Sequence, residues 1–206
     1  MISKEMERNI KENGGIREAF NEARRQKTLY GEENVFDLSI GNPSAPAPRK
    51  VVDVIKKLSE NVNLDHQYMC ESGYEEVRSK IAGWMNQKYK TSYGINNIIM
   101  TNGVAGGLNM VLRALLNPGD EVLVFRPYYP AYIGFAENWN GKIIEVDPGE
   151  DFQPDFEDLE GKITKRTKVV IVNSPHNPTG VIYTKETATK ISEILKSKQK
   201  EYGHAI

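Results

Sequence analysis

The chain has 206 residues, 27 Lys+Arg against 28 Asp+Glu for a formal net charge of −1, and 39% hydrophobic residues. The balanced charge excludes the basic surface of a nucleic-acid or anionic-membrane binder, and a single cysteine, Cys70, excludes an internal disulfide framework. No apolar run approaches the ~20 residues of a membrane span, and residues 1–8 mix charge and polarity with no apolar signal core. The expectation is a soluble, cytoplasmic globular chain with neither nucleic acid nor membrane as a partner.

In chain order, residues 15–28 predict a polar helix carrying Ile16, Phe20 and Ala23, and 35–40 predict a short strand stopped by Gly41-Asn42-Pro43. The proline-rich run 43–48 predicts an extended connector, and the domain boundary is placed there, giving segments 1–48 and 49–206. Val51, Val54, Ile55 and Leu58 share one helical face over 49–60. Tyr74, Val77, Ile81, Trp84 and Met85 repeat that spacing after Gly73. Both stripes predict helices facing a core.

From residue 97 the rhythm changes to strand–helix units. A buried strand is predicted over 97–101, followed by a helix with Leu108, Val111, Leu112 and Leu115 on its apolar face and a turn at Asn117-Pro118-Gly119-Asp120. Strands follow at 121–125 and 142–147, separated by a helix near 131–139. A strand at 168–172 then leads into a helix over 184–200. Ala205-Ile206 is expected to open a further strand, so the pattern predicts a βαβ unit interrupted at the last residue. Continuous Val/Ile strands alternating with helices predict an α/β fold, an incomplete, mostly parallel sheet with helices on both faces.

Three loops follow the carboxyl ends of these predicted strands, where open parallel sheets bind ligands. Residues 101–108, Thr-Asn-Gly-Val-Ala-Gly-Gly-Leu, combine small side chains with a helix start whose free N–H groups can hold a phosphate. They match neither the dinucleotide nor the P-loop pattern, and ordinary helix-start packing is the competing reading. Residues 126–132 set three tyrosines between two prolines, either a stacking face for a planar group or an aromatic plug capping the sheet. Residues 173–180, Asn-Ser-Pro-His-Asn-Pro-Thr-Gly, form a special turn in which Asn177 could donate to an oxyanion or phenolate. A purely structural turn is the alternative. His176 reads as structural, because no partner carboxylate is identifiable.

In this order and spacing, these loops resemble those of the fold-type I pyridoxal-phosphate-dependent aminotransferases, close to the aspartate aminotransferase group. The matching segments are 39–43 (Ser-Ile-Gly-Asn-Pro), 68–78, 101–103, 117–122, 127–132 and 173–180. The resemblance implies the N-terminal part of the cofactor-binding large domain over 49–206, with 1–48 supplying an N-terminal arm and small-domain segment. It implies that backbone N–H groups of Gly103, Val104 and Ala105 form a phosphate cup, that Tyr129 stacks on the pyridine ring and that Asn177 bonds the phenolic oxygen of pyridoxal 5′-phosphate. It also implies that Tyr68 reaches the phosphate of a neighbouring subunit in a homodimer with a shared active site, and that Gly41 sits beside the substrate carboxylate. The substrates it implies are an amino acid and a 2-oxo acid, and it implies no metal.

The departures are as specific. The family's Schiff-base lysine lies in a Ser-x-Ser-Lys-like stretch that this sequence does not contain. Lys4, Lys80 and Lys198 follow serines but sit in polar helical segments and read as solvated surface lysines. The aspartate that pairs with the pyridine nitrogen and the arginine that grips the substrate are also absent. No catalytic residue is therefore expected in these 206 residues, and the chain alone is expected not to transaminate. A carbon–sulfur lyase on the same fold, or a non-catalytic dimerisation or interaction fragment, are the alternative readings.

Overall fold

The computed structural model describes residues 2–39, 41, 43–62 and 68–206, with positions 5, 9, 12–14, 16 and 17 described in backbone only. The chain divides into two compact units, 1–68 and 69–206.

In the first unit, helix α1 (Lys4–Tyr30) is much longer than the predicted 15–28, because Ser3 caps its start by accepting the Met6 N–H at 3.1 Å and Gly31, at φ +88°, ends it. Ile16, assigned to its apolar face from sequence, has no described side chain. The strand expected at 35–40 does not form over 35–39, and Ile40 lies outside the described residues. Instead Asp37 gathers this stretch locally, accepting from the Ser39 N–H and hydroxyl and pairing with Lys27 at 2.9 Å. Helix α2 (Arg49–Ser59) follows the proline run as predicted. Its stripe of Val51, Val54, Ile55 and Leu58 is exposed rather than core-facing, since no described element of this unit covers it.

The second unit is built on a three-stranded parallel sheet, β1 (Glu121–Phe125), β2 (Lys142–Val146) and β3 (Thr167–Ile171), in the order β2-β1-β3. All five residues of the central β1 are buried. Side chains alternate across a strand, so Leu123 and Phe125 face one way and Val122 the other. The first pair packs with Val146, with Leu159 of α6 (Phe156–Lys162) and with Ile191 of α7 (Lys185–Tyr202). Val122 packs with Leu112 of α4 (Gly103–Leu115), with Leu116 and with Ala136 of α5 (Ala131–Glu137). The sheet thus lies between two helical layers. Helix α6 went unrecognised in the sequence. The α7 helix ends at Gly203, and residues 205–206 are irregular, with the Ile206 N–H on the Gln199 amide oxygen at 3.3 Å.

The predicted strand at 97–101 is also not formed. A 3-10 turn occupies Ile95–Asn97, and residues 98–101 pair with no strand among the described residues. Their backbone is satisfied differently, the Met100 N–H donating to the Ser72 oxygen at 2.9 Å. Helix α3 (Glu75–Tyr89) packs here, but Val77 and Trp84 of its expected core stripe are exposed, and it buries Ala82 and Arg78 instead. The Arg78 guanidinium, on a side chain only 5% exposed, donates to the carbonyls of Gly73 (3.1 Å), Ile95 (3.0 Å) and Ile98 (3.4 Å). Gly73 is required in that join. It holds φ +94°, and a Cβ there would meet the Met100 side chain at 2.5 Å. Arg78→Leu strands three carbonyls and is expected to lower unfolding free energy by about 2–4 kcal/mol, read from the midpoint of chemical denaturation.

Candidate functional site

The topology decides which loops share an edge. Helix α4 and strand β1 are joined by the turn at 117–120, closed by the Asp120 N–H on the Asn117 oxygen and by the Asn117 N–H on the Asp120 carboxylate. A helix of 13 residues spans about 20 Å and a strand of five about 17 Å, so after reversal the start of α4 returns to the carboxyl end of β1. The loop leaving β1 (126–130) and the loop leaving β3 (172–184) emerge at the same edge, because the strands are parallel. The next helices diverge, α5 to the face with α4 and α7 to the opposite face. Adjacent strands whose connections part in this way define a switch-point crevice, where open α/β sheets bind ligands.

Each loop is held rigidly by its own groups. At the start of α4, Gly103 adopts φ +71° with open space where a Cβ would project. Its own N–H donates to the Thr101 oxygen at 2.9 Å, while the Thr101 hydroxyl donates to the Gly103 oxygen. Of the three amides expected to form a cup, that of Gly103 is therefore engaged internally. Those of Val104 and Ala105, in the first turn, lack an acceptor within the helix, and the Val104 side chain is 77% exposed.

In the loop after β1, the Arg126–Pro127 peptide is cis. Tyr132 is buried and Tyr129 exposed, their rings perpendicular with centroids 5.7 Å apart, while Tyr128 stacks on Tyr132 at 6.3 Å. Tyr132 is thus packed as a plug, while the Tyr129 ring is open to solvent. Burial raises the phenol pKa of both Tyr128 and Tyr132, and the hydrogen bond to Glu145 adds to the shift at Tyr128.

The loop after β3 closes on itself, with Ser174–Pro175 and Asn177–Pro178 both cis. The Asn173 side-chain oxygen accepts the Asn177 N–H at 3.0 Å, and Ser174 Oγ accepts the Tyr183 N–H at 2.9 Å. His176 is buried, its Nδ1 lying 2.9 Å from the Thr179 hydroxyl and its ring stacked on Tyr183 at 5.7 Å. It serves the turn. Tyr183 also meets Phe125 edge-on at 6.1 Å, tying this loop to the end of β1. Asn177 itself is exposed.

The first-turn amides, the open Tyr129 ring and the exposed Asn177 are thus carried on loops at one edge, and this donor set fits a flat, phosphorylated group. Gly41 and Tyr68, the latter fully exposed, belong to the 1–68 unit. Sequence reading missed Glu145, which lies in no recognisable motif, and did not give Thr101 a role although it opens the 101–108 loop. Lys4 and Lys80 are exposed, but Lys198 is not the solvated residue expected, its side chain being 16% exposed and paired with Glu201 at 3.0 Å, which raises its pKa. No cluster of three metal-ligating side chains occurs among the described residues, and no described helix is long and apolar enough to cross a membrane.

The family model for aminotransferase class I and II matches residues 33–200. The chain belongs to the class I and II aminotransferases. It is 32% identical over 179 residues to an aspartate aminotransferase of Thermotoga maritima, covering 86% of this chain and 47% of that one. It is 35% identical over 178 residues to a glutamate-pyruvate aminotransferase of Escherichia coli, covering 82% and 43%. Among solved structures, an amino transferase from Eubacterium rectale superposes with a TM-score of 0.91 at 38% identity, covering all of this chain and 53% of that one. The chain therefore spans about half the length of these aminotransferases. The sheet between two helical layers is part of the large domain of this fold, and the aspartate aminotransferase-like family is dependent on pyridoxal 5′-phosphate.

Desolvation lifts the Tyr183 phenol to about 12. A phenol whose folded pKa exceeds its unfolded value of about 10 supports stability fully below pH 10 and loses that support as pH rises through 12. Wild type is accordingly expected to lose stability between pH 10 and 12 more steeply than Tyr183→Phe, measured by denaturant midpoints across that range.

Proposed function

We propose that this chain supplies the cofactor-holding part of a pyridoxal-phosphate-dependent aminotransferase that moves an amino group between an amino acid and a 2-oxo acid. The observation that carries this reading is the switch-point crevice, at whose edge the start of α4 offers the Val104 and Ala105 amides beside loops bearing Tyr129 and Asn177. Bound there, the cofactor would supply the electron sink for chemistry at the amino-acid α-carbon.

The residues of this chain have separable tasks. The Val104 and Ala105 N–H groups bind phosphate oxygens at the positive end of α4, while Gly103 shapes the approach. Tyr129 covers one face of the pyridine ring, excluding water from it. The Asn177 amide donates to the phenolic oxygen and fixes the ring's rotation about its phosphate tether. Gly41 leaves room for a substrate carboxylate. Tyr68, exposed at the edge of its unit, reaches the phosphate site of a second copy in a cytoplasmic homodimer. On this reading 1–48 is an N-terminal arm and small-domain segment, and 49–206 belongs to the large domain.

The 206 residues hold no lysine in the setting required for a covalent link to the cofactor. Lys198 is held protonated by Glu201 and Lys80 is bonded to Glu76. Alone, the chain therefore binds pyridoxal 5′-phosphate non-covalently and does not transaminate. Equilibrium dialysis is expected to detect saturable binding, weakened about three- to tenfold by Tyr129→Ala. Borohydride reduction and mass spectrometry are expected to find no lysine labelled stoichiometrically. A single fully labelled lysine, or affinity indifferent to Tyr129→Ala, would contradict the reading.

A further inference from the structure

Tyr129 is exposed but not isolated. Among the described residues, the ring it meets is Tyr132, 8% exposed and perpendicular to it. Tyr132 is stacked in turn on Tyr128, with 13° between the planes. The Tyr128 hydroxyl donates to Glu145 Oε1 at 2.7 Å, the length of a charge-assisted bond. Glu145 lies on β2, paired in register with Val124 near the end of β1. Arg126 lies between that carboxylate and the next one along, its Nε 3.5 Å from Glu145 Oε2 and its Nη1 3.0 Å from Asp147 Oδ1. A series of contacts thus runs from a carboxylate on β2, through two tyrosines, to the exposed ring.

We propose that Glu145 and Tyr128 are positioning residues that set the plane of the Tyr129 ring through Tyr132. This rests on Tyr129 being the stacking face proposed above. An isolated exposed ring would rotate among its staggered χ1 states and lose entropy on stacking. A ring already braced by an edge-to-face neighbour does not incur that cost again, so the anchor acts by preorganisation. Tyr128 is suited to the task because a phenol is protonated and donating at physiological pH, and burial with the bond to Glu145 shifts its titration further upward. The Arg126 pairs are half exposed and contribute little by themselves, so the hydrogen bond is the part that matters.

Two measurements on the 206-residue chain test this. In the first, without ligand, the tyrosine ring resonances are recorded by NMR, Tyr129 being assigned through Tyr129→Phe. Tyr128→Phe and Glu145→Leu are expected to shift the Tyr129 ring signals toward averaged values as Tyr132, freed from its anchor, no longer keeps one placement beside it. Glu145→Gln, whose amide oxygen still accepts from Tyr128, is expected to preserve them. Unmoved Tyr129 signals in both disruptive variants would overturn the proposal. In the second, dialysis against pyridoxal 5′-phosphate and separately against inorganic phosphate is expected to show Tyr128→Phe weakening only the former, by about threefold. That loss should vanish in a Tyr129→Ala background, as for two coupled residues. A loss that persists there, or that affects inorganic phosphate equally, indicates general loosening and also overturns the proposal. If Tyr129→Ala itself changes nothing, the stacking role fails instead, while the NMR comparison still decides whether the brace exists.

Discussion

The burial of β1 on both faces is the constraint on which the second unit depends. Val122, Leu123, Val124 and Phe125 are all removed from solvent, and a strand with apolar side chains on both faces needs two helical layers. Helices α4 and α5 satisfy one face, and α6 and α7 the other. The connection leaving β1 runs into α5 on one face and that leaving its neighbour β3 runs into α7 on the other, so the two part at the carboxyl edge. The crevice is therefore a by-product of covering the strand, and the groups proposed to hold a ligand sit beside a gap that packing had already created.

Around that gap, satisfied and available groups are sharply divided. The loop after β3 uses the Asn173 and Ser174 side chains, His176 and Thr179 for its own bonds. Helix α4 is fastened to α5 where Asn109 accepts the Trp139 indole N–H at 3.0 Å and Arg113 lies over the same ring. Among the groups these attachments leave available are the Val104 and Ala105 amides, the Tyr129 ring face and the Asn177 carboxamide. A flat, anionic ligand needs little more from a scaffold, provided the donors cannot drift.

The parts legible in the sequence are those specified locally. The Val/Ile runs of β1 to β3 and the apolar spacing of α7 give elements within a residue or two of their observed ends, and the apolar face of α4 marks that helix without its bounds. Helix α6 escaped notice because it has only seven residues and buries one of them, Leu159, its start being marked chiefly by the Asp155 cap. Residues 35–39 and 98–101 have strand composition, but a strand needs a neighbour to exchange hydrogen bonds, and Asp37 and Ser72 provide other solutions. The loops bearing Val104, Tyr129 and Asn177 were recognisable from motifs, whereas the engagement of the Gly103 amide by Thr101 was not. Arg78 with the Ile95 and Ile98 carbonyls and Tyr128 with Glu145 join residues 17 or more positions apart, beyond any local periodicity.

The two ends of β1 are anchored by different chemistry. At its beginning, the largely buried Glu121 carboxylate accepts from Thr164 at 2.6 Å and from Thr167 at 3.3 Å, far from any opening. At its far end, Arg126 and Tyr128 meet acidic partners in half-open surroundings. The two ends share no partner, so the effects of substitutions at Glu121 and at Arg126 on stability should add, with one five-residue strand separating them.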